Sequence, residues 1–140
     1  MKIRGKVEFF AEKDGKIIDH WIEENLIVSK GKQAVCYLLA TGNANKIVNK
    51  IGFGTGATEP LITDTALSAP FIKAIGSSIS YPALNQIKWD WELGLAEGNG
   101  VTYYEMGLLT QAGDLFARKV RSAMVKNAET RFFGSWTLTF

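Results

Sequence analysis

Apolar and polar residues alternate most cleanly near the end of the chain. From Thr130 to Phe140, the residues Phe132, Gly134, Trp136, Leu138 and Phe140 share one phase, and Arg131, Ser135, Thr137 and Thr139 share the other. Neighbouring side chains of a strand point to opposite faces, so this split predicts a strand with one buried face. Phe133 is the exception, an aromatic on the polar phase. Ile87, Trp89, Trp91 and Leu93 alternate in the same way against Lys88, Asp90 and Glu92. Tyr103–Thr110 and Leu115–Arg121 read as two more strands, joined by the turn Gln111-Ala112-Gly113-Asp114.

The first residues predict a hairpin. Val7, Phe9 and Ala11 oppose Glu8, Phe10 and Glu12, and Asp14-Gly15 supplies the positive φ of a two-residue turn. The return strand, Ile17–Glu23, is apolar on both phases, with Ile17 and Trp21 against Ile18 and Ile22, so cover is expected on each side. Asn25–Val28 continues extended. Ser29 is placed to cap a helix whose apolar stripe is Ala34, Val35, Leu38 and Leu39, ended by Gly42 and Asn43. Cys36 falls within it and reads as a small buried hydrophobe. Lys46–Phe53 is a short strand, Gly54–Pro60 a loop, Thr63–Leu67 one helical turn capped by Thr63, and Phe71–Ser80 a strand. The expected fold is therefore mainly β: an antiparallel β-sandwich, jelly-roll-like, of about eight strands with one short α-helix near residues 30–41, all in one domain over residues 1–140.

Charge narrows the function classes. Sixteen basic and fourteen acidic residues leave +2, too little to point to nucleic acid. Arg118, Lys119, Arg121 and Lys126 form a local basic cluster, which reads first as a solvated strand edge. One cysteine excludes an intrachain disulfide framework. No apolar h-region opens the chain and no run of about 18 apolar residues occurs, so synthesis in the cytoplasm and no membrane span are expected.

Candidate chemistry is sparse. Gly52-Phe53-Gly54-Thr55-Gly56-Ala57 fits a relaxed dinucleotide fingerprint, but Thr58-Glu59-Pro60 follows where a helix must open. It reads as a glycine turn leaving a strand. One His and one Cys do not make a zinc site, and Asp64, Asp90 and Asp114 lack calcium-loop spacing, so no metal or cofactor is assigned. No catalytic residue is assigned either; His20 reads as an ordinary strand residue. Glu105 lies in the apolar run Tyr103–Leu109 and needs a partner if it points inward; Arg118 on the next strand is the candidate, as a structural ion pair. Trp89 and Trp91 are either core or, on an exposed face, a sugar-stacking platform together with Tyr103 and Tyr104.

Several stretches together resemble a class of small structural proteins of tailed-bacteriophage and prophage virions. They are Asn25-Leu26-Ile27-Val28-Ser29-Lys30-Gly31-Lys32 before an apolar helix, Ile51–Gly56 followed by Thr63–Leu67, Tyr104–Leu109, Leu115–Arg118, and the closing Trp136–Phe140. In order and spacing they cover most of the chain from Asn25 onward. The resemblance implies a non-enzymatic subunit of the tail, collar, fibre-associated or capsid-decorating kind. Its partners would be copies of itself and other virion proteins, and its location the virion. The loops Gly54–Ala69 and Gly94–Gly100 and the first hairpin are the expected contact elements. A carbohydrate-binding module for host attachment is the alternative.

Overall fold

The computed structural model describes residues 2–140. It is mainly β and antiparallel, with nine strands and one α-helix. In chain order they are β1 (Arg4–Lys13), β2 (Lys16–Ile27), α1 (Ser29–Thr41), β3 (Val48–Gly54), β4 (Phe71–Ala74), β5 (Ile79–Ser80), β6 (Gln86–Leu93), β7 (Val101–Thr110), β8 (Leu115–Lys126) and β9 (Thr130–Thr139). The ninth strand arises because Phe71–Ser80 is not continuous. Ile75 turns inward and donates to Asn49 O, and the chain resumes pairing at Ile79, on the other edge of the sheet.

The two layers of the sandwich are halves of one curled sheet, in the order β4-β3-β7-β8-β2-β1-β9-β6-β5. Strand β2 makes the fold-over. Most of its length pairs with β1, up to Asn25 opposite Gly5, while Leu26 and Ile27 pair with Arg118 and Ala117 of β8. Val7, Phe9, Trp91, Phe132, Trp136 and Leu138 from one half meet Ile51, Phe53, Tyr103, Met106 and Leu108 from the other. The Phe53 ring stands edge-on to Trp91 at 5.4 Å. Val7, Phe9, Trp91, Phe132, Trp136 and Leu138 are the residues of the apolar phases read from the sequence, so alternation placed that half of the core correctly. The aromatic-rich interior follows from strand packing, where flat rings fill the space between pleated faces.

Several local expectations are corrected. Asp14 and Gly15 do adopt φ of 52° and 74° at the hairpin tip. The hairpin is not covered on both sides, however: of its return strand Ile17–Glu23 only Trp21 is buried, and Ile17, Ile18 and Ile22 are about half exposed (49, 57 and 48%). Helix α1 begins at Ser29 with Val28 as its N-cap and no side-chain cap, while Gly42 ends it in the left-handed region. Its inner face is Gly31 and Ala34 against the start of β8, where Phe116 O leaves no room for a side chain at position 31. Leu39 and Cys36 are exposed, because the helix touches the sheet along a narrow small-residue stripe. Thr63–Leu67 forms no helical turn; Leu61 and Asp64 close a tight turn through Asp64 N to Leu61 O and Leu61 N to Asp64 Oδ2.

Candidate functional site

The outer face of the β3-β7-β8 half carries a buried polar brace. In strand register Gly54 lies opposite Glu105 and Gly52 opposite Gly107, and Gly107 in turn lies opposite Arg118. Glu105 thus points away from the sandwich interior, since Met106 and Leu108 take the inward phase. It is nevertheless sealed, at 1% exposure, because residues 55–69 cross over it as a strap. The strap closes through Thr55 N to Ser68 O (2.9 Å) and is tied to α1 by Ser29 N to Ile62 O (2.8 Å).

Glu105 and Arg118 are in contact beneath it. Arg118 Nε donates to Glu105 Oε1 at 2.8 Å. Glu105 Oε2 accepts from Gly56 N at 2.7 Å and Ser68 N at 2.8 Å, one from each end of the strap. Arg118 Nη1 reaches Asp64 Oδ2 at 2.9 Å, so the middle of the strap is held as well. A buried carboxylate needs such partners, and here two backbone amides and a guanidinium supply them. Glycine is required where the strap and sheet approach this carboxylate. A Cβ on Gly56 would sit 2.6 Å from Glu105 Oε2, and one on Gly54 would be as crowded. The facing pair Gly52 and Gly107 leaves a flat place for Leu67, whose Cδ1 would lie 2.7 and 2.9 Å from Cβ atoms there. Leu67 then packs with Val28 and Leu115. Of the fingerprint-like glycines, Gly56 does donate to an anion, but it is the chain's own carboxylate, and Gly54 makes room beside it.

A second polar cluster holds the β6–β7 loop. Lys126, at 1% exposure, donates from Nζ to Asn99 Oδ1 at 2.7 Å and to Asn127 O at 3.2 Å. Asn99 Nδ2 donates to Leu95 O at 2.7 Å, and the Tyr103 hydroxyl donates to Gly98 O at 2.7 Å. Glu97 Oε1 accepts from Lys73 Nζ at 2.7 Å and Gly94 N at 2.9 Å. Those two hydrogen bonds hold the Glu97 carboxyl below its ordinary value. Burial pushes Lys126 down, against the pull of the Glu97 charge, and pushes the Tyr103 hydroxyl up. Both loops expected as contact elements, Gly54–Ala69 and Gly94–Gly100, are thus tied to the sheet by hydrogen bonds.

The remaining candidates fall elsewhere. The basic cluster on β8 is dispersed rather than a solvated edge. Arg118 and Lys126 are buried, while Lys119 and Arg121 both pair with Glu23 and lie over the Trp21 ring. His20 sits on the open outer face of the other half, stacked on Phe10 at 4.2 Å with Nε2 3.2 Å from Glu8 Oε2. Phe10 stacks in turn on Phe133, which explains the one aromatic on the polar phase of β9. Of the residues of the expected aromatic platform, Trp89, Trp91 and Tyr103 are buried in the core at 4, 4 and 1%, while Tyr104 is exposed. No group of three or more His, Cys, Asp or Glu suited to a metal ion occurs among the described residues, and no helix there is long and apolar enough to cross a membrane.

Sequence reasoning found Glu105 and Arg118 because a carboxylate inside an apolar run demands a partner. It missed Asp64, Glu97, Asn99 and Lys126. Their run, Glu97-Gly-Asn-Gly, reads as an ordinary turn, and Lys126 as one more surface charge; only the β7–β8 pairing, with Val101 opposite Lys126, brings them together. Comparison with family models, with curated proteins and with solved structures finds no match in any of the three.

Proposed function

We propose that this chain is a non-enzymatic structural subunit of a tailed-bacteriophage virion, of the tail, collar or capsid-decorating kind, working by symmetric assembly with copies of itself and with other virion proteins. The observation that carries this reading is a set of large apolar side chains held out on braced loops. Leu61 and Ile62 on the strap and Leu95 on the β6–β7 loop are each more than half exposed, and Ile17, Ile18 and Ile22 stand on the hairpin. A loop tied by buried hydrogen bonds loses little further entropy on docking, so apolar tips on such loops suit permanent protein contacts. The residues that carry the resemblance also have a shared purpose in the fold. Gly52, Gly54, Gly56, Leu67, Glu105, Gly107 and Arg118 all build the strap and its brace.

The test is the mass of the purified chain by sedimentation velocity at micromolar concentration, paired with proteomics of phage particles prepared from cultures that carry the gene. A defined oligomer, and the chain among the particle proteins, are expected. A strict monomer absent from every particle fraction would refute the proposal.

A further inference from the structure

Lys126 is a buried amine with no carboxylate hydrogen-bonded to it, which is an expensive way to hold a loop. Its nitrogen instead faces a carboxamide. We propose that Lys126 and Asn99 are joined by an intramolecular isopeptide bond, formed when Lys126 Nζ attacks Asn99 Cγ and ammonia leaves.

The geometry supplies what the reaction needs. Nζ stands 2.7 Å from Asn99 Oδ1, so the amine is already in contact with the group it attacks. Phe132 walls the site, its ring centroid 6.0 Å from Nζ. Burial favours the neutral amine, whose lone pair is the nucleophile. The Asn99 amide is oriented by its own bond from Nδ2 to Leu95 O, and residue 99 is exposed, which gives ammonia a way out. Gly100 N donates to Lys126 O at 2.9 Å, locking the two backbones at the same register.

The step balances within the chain. The Nζ lone pair forms a bond to Cγ and the charge moves to Oδ1. A proton leaves Nζ and reaches Nδ2, after which the Cγ–Nδ2 bond breaks, Oδ1 regains its double bond and ammonia departs. One C–N bond forms and one breaks, with no oxidant and no cofactor. Glu97, two residues before Asn99, is the carboxylate whose charge acts on Lys126, and in this proposal it carries the proton. Its oxygen Oε1 is fixed by Lys73 Nζ and Gly94 N. The product ties the β6–β7 loop to the end of β8 covalently, which suits a particle protein but does not depend on that reading.

The experiment is intact-protein mass spectrometry under denaturing conditions, followed by digestion. The expected result is a mass lower by one ammonia and a branched peptide joining the segments of Asn99 and Lys126. Lys126→Arg and Asn99→Ala should each have the full unmodified mass, and Glu97→Gln should form the bond slowly or incompletely. The full mass in the unaltered chain after prolonged incubation would overturn the proposal. So would an ammonia loss that persists in Lys126→Arg, because that would be cyclisation at Asn99-Gly100.

Discussion

Replacing Glu105 by alanine tests whether the strap is held by the brace. The side chain is 1% exposed and its two oxygens accept three hydrogen bonds, two from the strap's backbone and one from Arg118. Each orphaned buried donor costs about 1–3 kcal/mol. Stripping one member from a buried ion pair costs about 3–5 kcal/mol as a whole. The two figures describe overlapping losses, and Arg118 retains Asp64, so about 3–5 kcal/mol is the expected total for Glu105→Ala. That is a large share of the roughly 5–15 kcal/mol available to a domain. In urea, with a slope of about 1–3 kcal/mol/M, the unfolding midpoint should fall by about 2 M. The double variant Glu105→Ala/Arg118→Met should be less destabilised than the sum of the singles, because it removes the unpaired charge. It should not return to the starting stability, since Gly56 N and Ser68 N still lack an acceptor. A loss below about 1 kcal/mol for Glu105→Ala would mean that water or a rearranged strap replaces the carboxylate, and the brace would not be structural.

Three further outcomes are expected. Gly134→Ala should destabilise by about 1–3 kcal/mol or more by chemical denaturation, because its Cβ would run into Glu8 O and press on Trp91. Deleting Trp136–Phe140 should abolish folding by circular dichroism, because β9 lies between β1 and β6 and Trp136 and Leu138 are buried; a soluble, folded truncation would instead assign those residues to a partner subunit. Stability should decline in acid through Glu23 and Glu97. Partial burial pulls Glu23 up, but the hydrogen bond from Lys119 and the charges of Lys119 and Arg121 outweigh it and hold the carboxyl below its ordinary 4.5. With folded values below the unfolded ones, the unfolded chain takes up protons first. The contribution is complete above the unfolded value and is lost as pH falls from about 4.5 through the folded values. Denaturation midpoints of Glu23→Gln and Glu97→Gln across that range should show a flatter acid limb than the unaltered chain.

What the sequence determined by itself was set by local periodicity. Alternation in β6 and β9 fixed which residues face the core, because a strand has only two faces and one of them must leave water. Asp14-Gly15 and Gly42 fixed a turn and a helix end, because few residues tolerate positive φ. The demand of Glu105 for a partner was equally legible, and so was Arg118 as that partner. What only the tertiary structure decided was the layer on which the pair sits. Periodicity distinguishes two faces but does not say that a strap of residues 55–69 covers the outer one, so a buried carboxylate outside the core had no signature. The split of Phe71–Ser80 into two strands on opposite edges had none either, since it depends on the bond from Ile75 N to Asn49 O of β3, distant in sequence, and on pairing at the far edge. Lys126 and Asn99 show the limit most clearly. They are separated by 27 positions, and each is ordinary alone. Strand pairing brings them together, and burial holds the lysine below its ordinary value.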